Sequence, residues 1–149
     1  MNEVKNNKTI NLSEHFTLGE VTKSRQTEID NIPSHVAIEN LKRVCTWLEE
    51  LRAMARTPIV INSGYRSPEL NKKVGGSPTS NHLTGCAVDI RVAGIEQAMR
   101  YAVILMDYAD ETKQDYDELL IERNRSGGYW LHFAVRPKDN RRKTMVMLL

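Results

Sequence analysis

Ser80-Asn81-His82-Leu83-Thr84-Gly85-Cys86-Ala87-Val88-Asp89-Ile90-Arg91-Val92 is a polar loop that turns at Thr84-Gly85 and runs into an alternating strand. Successive strand side chains point to opposite faces, so Val88, Ile90 and Val92 belong to an apolar face and Ala87, Asp89 and Arg91 to the other. A second alternating run, Tyr129 to Val135, puts Leu131, Phe133 and Val135 on its apolar face and Trp130, His132 and Ala134 opposite. Between them, Glu118 to Arg123 turns Leu119 and Ile121 inward and leaves Glu118, Leu120 and Glu122 on the polar side. Asn124-Arg125-Ser126-Gly127-Gly128 joins the last two runs as a hairpin loop. The residues from Thr144 to Leu149 could add an edge strand.

Helical signals flank this sheet. Ser34, after Pro33, caps a helix expected to reach about Arg56, with Leu41, Val44, Cys45, Leu48, Leu51 and Ala55 on one stripe. A helix from about Ile95 to Tyr108 and a short one opening at Ser67-Pro68-Glu69 and ending at Gly75-Gly76 follow the same rules. Pro58 to Asn62 reads as a short β-branched strand, and Thr17 three residues before Glu20 has the spacing of a capping box opening a further helix. Residues 1–12, rich in Asn and Lys, read as a flexible arm, and residues 13–149 as one domain. The expected class is α+β, an antiparallel sheet packed by helices.

Composition narrows the function. With 40% apolar and 27% charged residues the chain is globular, and 21 basic against 19 acidic side chains leave a net charge of +2. That balance argues against a dedicated nucleic-acid binder, and the short basic run of Arg136, Lys138 and Arg141-Arg142-Lys143 reads more simply as a solvated edge. No run approaches the roughly 18–20 apolar residues needed to cross a bilayer. The polar N-terminus lacks the apolar stretch of a secretory signal, so synthesis in the cytoplasm is expected. Cys45 and Cys86 are read as small buried residues rather than a disulfide. Serine catalysis is disfavoured by the lack of a Gly-x-Ser-x-Gly elbow, and Cys86 sits in an apolar strand pattern unsuited to a thiolate nucleophile.

Four histidines remain: His15, His35, His82 and His132. His35 falls in the first turn of a helix and is read as exposed or capping. Asp89 and His132 share a sheet face, and the turn at Thr84-Gly85 can bring His82 over the same face. Two histidines, a carboxylate and a water make an open zinc site. Spacing alone leaves open three unrelated polar residues on a solvated face.

Motif context goes further. Ser80 to Ile90 resembles the Ser-x-His-x-x-Gly-x-Ala-x-Asp signature of the zinc D-Ala-D-Ala carboxypeptidase family, which also contains phage L-alanyl-D-glutamate endopeptidases. Ser63-Gly64-Tyr65-Arg66-Ser67 resembles the family's Ser-Gly-Tyr-Arg-Ser segment, and Trp130-Leu131-His132 its aromatic-x-His. Phe16-Thr17-Leu18-Gly19-Glu20-Val21-Thr22-Lys23-Ser24 is similar to the opening of the compact phage-type branch.

The resemblance implies a zinc DD-peptidase (hedgehog-like) fold. It also implies one zinc ion held by His82, Asp89 and His132, with a zinc-activated water cleaving an amide of a peptidoglycan stem peptide as a D,D-carboxypeptidase or L,D-endopeptidase. Arg66 would contact the substrate carbonyl and the oxyanion, Ser80 the substrate or the site's surroundings, and Trp130 a wall of the cleft. Many members carry a catalytic Glu or Asp three residues before the last histidine, where this chain has Tyr129. Glu122 has the right strand parity and is the replacement candidate for the base, ahead of Glu118 and Asp117. The expected protein is a monomeric phage or prophage endolysin that reaches the wall only when released. The other reading is a catalytically weak or inactive zinc-containing binding or assembly module on the same fold.

Overall fold

The computed structural model describes residues 8–149. Its elements are α1 (His35–Ala55), β1 (Ile61–Ser63), α2 (Pro68–Lys73), a 3₁₀ turn (Asn81–Thr84), β2 (Ala87–Arg91), α3 (Ile95–Thr112), β3 (Glu118–Arg123), β4 (Tyr129–Ala134) and β5 (Lys143–Leu148). They form an α+β fold with one five-stranded sheet in the order β1-β2-β4-β3-β5.

Ser34 starts α1 by accepting the Ala37 N–H at 3.1 Å, and Ser67 caps α2 with Pro68 in its first turn. The apolar sheet face carries Val88, Ile90, Leu119, Ile121, Leu131 and Phe133, all buried. α1 and α3 cover it. The α1 stripe is wider than its periodicity suggests, because Trp47 is also fully buried. Its ring meets Tyr108 of α3 at 4.9 Å, Phe133 of β4 at 5.4 Å and Tyr116 at 6.5 Å between centroids. One side chain thus ties both helices to the strand that carries His132.

The sheet departs from a wholly antiparallel one at its last strand. β5 runs parallel to β3, with Lys143 opposite Glu118 and Leu148 opposite Arg123. The cause is the short return from β4: Ala134 already lies beside Glu118, so a chain re-entering there must run in the direction of β3. Thr17-x-x-Glu20 makes both capping hydrogen bonds, 3.2 and 3.3 Å, but no helix follows. The Val21 carbonyl is taken by the Tyr65 N–H at 2.8 Å instead, and residues 18–22 stay in turns. β1 lies later than the expected strand, and α3 continues to Thr112 because Ala109 still packs in the core. Of the expected arm, residues 1–7 lie outside the described residues, while the carbonyls of Lys8 and Ile10 accept the N–H groups of Gly19 and Leu18 at 2.8 Å. Cys45 and Cys86 are buried and unbonded to each other, and burial pushes the Cys45 thiol up to about 12.

Trp47→Ala removes the ring that joins α1, α3 and β4, and is expected to cost about 3–5 kcal/mol in urea denaturation.

Candidate functional site

Strand register builds the polar face. In the antiparallel β2–β4 pair, Asp89 stands directly opposite His132, and in β3–β4 Leu120 stands opposite His132 with Glu118 and Glu122 on its two diagonals. Long side chains on such diagonals reach one another. Val88, Ile90, Leu131 and Phe133 alternate with these residues and anchor the opposite face in the core.

His82 arrives from the 3₁₀ turn. Ser80 caps that turn by accepting the His82 backbone N–H at 3.1 Å, and Gly85 ends it at φ 75°, a left-handed conformation suited to glycine. His82 Nε2 lies 3.4 Å and His132 Nδ1 3.0 Å from the same oxygen, Asp89 Oδ1. One ligand atom from each of the three residues lies within 4.8 Å of the others.

These residues fit a zinc ion. Tetrahedral bonds of about 2.1 Å separate neighbouring ligand atoms by about 3.4 Å, close to the spacings found. The remaining ring nitrogens are engaged elsewhere. His82 Nδ1 donates to the Gly64 carbonyl at 2.6 Å, and His132 Nε2 pairs with Glu118 Oε1 at 3.0 Å. A metal-binding imidazole commonly has its second nitrogen fixed by a carbonyl or carboxylate in this way. Asp89 Oδ2 faces Arg66 Nη2 at 3.4 Å, which leaves Oδ1 for the centre.

The other expected site residues fall around this cluster. The Arg66 guanidinium also donates to Ser63 Oγ and Asn71 Oδ1, each at 3.2 Å, so its plane is fixed before any ligand arrives. Glu122 places Oε1 3.8 Å from His132 Nδ1. Burial raises its carboxyl above the ordinary range and the neighbouring Asp89 adds to this, against an opposing pull from His132. Trp130 and Ser80 line the same cleft, which encloses about 740 Å³. Tyr129 packs partly against the core, as its parity requires. His35 is exposed, and His15 pairs with Glu49 of α1 at 2.7 Å.

The sequence pattern marks Glu118 only as a candidate base and carries no signal for its pairing with His132. Nor does it signal the brace beneath. Asp117 is fully buried and binds Arg141 Nη2 at 2.8 Å, Arg136 Nε at 3.2 Å and Asn81 Nδ2 at 2.8 Å. Asn81 Nδ2 also donates to Glu118 Oε1 at 2.7 Å. The run read as a solvated basic edge is therefore partly committed to ion pairs, with Arg142 on Asp110 at 2.6 Å. Burial alone would raise the Asp117 carboxyl, but Arg141, Asn81 and Arg136 outweigh it and hold the group down to about 2. The hydrogen bond from His132 holds Glu118 to about 2 as well. Burial would lower the His132 ring, yet its bonds to Asp89 and Glu118 push it up to about 10 in the metal-free chain.

Three protein ligands with an open fourth position, as His82, Asp89 and His132 would offer, are the pattern of catalytic rather than structural zinc sites. The Peptidase M15 family matches residues 14–116, well over half of the chain. The chain belongs to this family, which is zinc-dependent. His82, Asp89, Arg66 and Ser80 lie inside the match, whereas His132, Glu118 and Glu122 lie beyond it and join the site through the sheet register. No curated protein matches the chain. Among the described residues, no helix is long and apolar enough to cross a membrane.

Two pH effects are expected. A metal bound at His132 Nδ1 would require the neutral ring, so zinc uptake there would displace its proton. Affinity should rise from pH 6 to pH 8 by about tenfold per unit, with proton release measured by calorimetry in buffers of different ionisation enthalpy. Asp117 has a depressed folded-state pKa, so its contribution, on the order of 2 kcal/mol, is present above its unfolded value near 3.8 and lost as pH falls toward about 2. Asp117→Asn should flatten the acid limb of the stability curve between about pH 4 and 2, read by urea midpoints.

Proposed function

We propose that this chain is a zinc peptidase that hydrolyses an amide bond in peptidoglycan stem peptides, with His82, Asp89 and His132 as the metal ligands. The observation that carries the reading is the convergence of both imidazoles on Asp89 Oδ1, with Arg66 and Glu122 at its margin. A purely structural zinc site is closed by four protein ligands and requires neither of those two groups. Membership of Peptidase M15 supports the substrate class.

Zinc held there would supply Lewis acidity, lowering the pKa of a water to near 7 and polarising a carbonyl. Arg66, held by Ser63, Asn71 and Asp89, donates to the carbonyl oxygen as negative charge develops on it. Glu122 accepts a proton from the water that attacks the carbonyl carbon. It returns that proton to the nitrogen as the C–N bond breaks. Its raised carboxyl suits this exchange, since an ordinary carboxylate is a weaker base. Trp130 would wall the peptide, and Ser80 acts through the turn that aims His82. A peptide between Trp130 and the loop of Gly75-Gly76 would lie across the centre.

Digestion of purified peptidoglycan with zinc-loaded protein, followed by mass analysis of the fragments, is expected to show stem-peptide cleavage. Glu122→Gln is expected to lower the rate by about 10²–10⁴-fold while zinc stays bound. His82→Ala should lose stoichiometric zinc. Equal cleavage by Glu122→Gln would remove it as the base, and zinc binding with no cleavage by the parent protein would favour the silent wall-binding module.

A further inference from the structure

A second groove opens beside the centre. It encloses about 740 Å³ and is walled by Lys23 and Arg25 of the turn region, Asn62 and Ser63 of β1 and its edge, and Arg91 at the end of β2. Arg66 and Val74 line both this groove and the cleft of the centre, so the two are continuous. Arg91 stands two residues beyond Asp89 on the same strand face, about 7 Å further along.

The groove's charge is one-sided. No Asp or Glu lines it among the described residues. Lys23, Arg25 and Arg91 are exposed, and none is in an ion pair among the described residues. The other end of the cleft differs: Arg136 and Arg141 are held by Asp117, with Glu118 beside them. Lys143 is the one cation lining the cleft there without an acidic partner among the described residues. A ligand lying across the centre therefore meets uncompensated positive charge mainly on the β1 side.

We infer that this groove seats the carboxylate-bearing part of an acidic peptide substrate, with Arg91, Lys23 and Arg25 selecting for free carboxylates over amidated ones; this rests on the peptidase reading above. A nucleic acid is disfavoured, because the chain's net charge is only +2 and the groove leads into a site built around a carboxylate and two imidazoles. Each exposed cation facing a carboxylate is expected to contribute about two- to fivefold to affinity. Three acting together should give a preference of about tenfold or more at low salt, shrinking as the ionic strength rises and the screening length falls below about 8 Å.

The test compares a fluorescent stem peptide carrying free carboxylates with its fully amidated counterpart. kcat/KM is measured with the zinc-loaded full chain, and binding by anisotropy with the chelator-treated full chain, where no cleavage intervenes. The parent is expected to prefer the free acid in both measurements. Arg91→Gln, and separately Lys23→Gln with Arg25→Gln on the loop, should each cut that preference severalfold; the loop variant leaves β2 untouched, so a folding defect in one does not mask the other. No preference in the parent, or a full preference retained by both variants, would overturn the inference. Displacement of the peptide by a short DNA duplex at lower concentration than by unlabelled peptide would overturn it in favour of a polyanion groove. Acid-selective binding without cleavage would uphold the groove and sink the peptidase reading. Cleavage without selectivity would do the reverse, and neither binding nor cleavage would sink both.

Discussion

The division of labour between the two oxygens of Asp89 is the interaction on which the site depends. Oδ1 faces both imidazoles, and Oδ2 faces the Arg66 guanidinium. A carboxylate in this setting must be compensated, because burial penalises its charge. Burial accordingly pushes Asp89 up, and the imidazoles more than reverse it, keeping the group far below the ordinary range. The same three neighbours that stabilise the charge also line the cleft. Stability of the polar face and readiness of the site are one arrangement here, so the face holds its geometry before a ligand is present.

Backbone constraints far from the strands keep that arrangement in place. A Cβ on Gly64 would fall 2.2 Å from the Val21 carbonyl oxygen, so only glycine lets the β1 edge approach the turn region closely enough. That approach aims the Gly64 carbonyl at His82 Nδ1. Gly85 is held likewise: its φ is positive, and a Cβ would come within 2.5 Å of the Ala37 carbonyl on α1. The Arg66 N–H donates to the His82 carbonyl at 3.0 Å, which closes the loop between the two segments. His82 is thus positioned by backbone contacts from three parts of the chain, whereas Asp89 and His132 are positioned by strand register.

This contrast explains what the sequence made legible. Period-two alternation is a local property, and it sorted Asp89, His132, Glu118 and Glu122 onto one face without any knowledge of strand order. Capping chemistry is also local, so Ser34 and Ser67 marked helix starts correctly. Interactions between residues distant in sequence left no such trace. Asp117 is adjacent to a strand but finds Asn81 and Arg141 through the tertiary fold, 36 and 24 residues away. The parallel β5 follows from where β4 ends, not from its own residues. At Thr17-x-x-Glu20 the local signal was real and its hydrogen bonds form, yet a carbonyl claimed by Tyr65 outcompetes the helix that would follow.

A nearly neutral chain can still present a polarised cleft, because what matters is which charges are already answered. On the β5 side, Asp117 is buried beneath Arg136 and Arg141, which hold its carboxyl well below the ordinary range and keep it ionised at neutral pH. Those arginines are therefore occupied in holding Asn81 and Glu118, and through them His132. On the β1 side the cations have no such task, and Arg66 stands at the boundary between the two regimes. Counting 21 basic against 19 acidic side chains averages these two ends into near-neutrality. What a ligand in the cleft meets is set instead by which cations at each end are already paired.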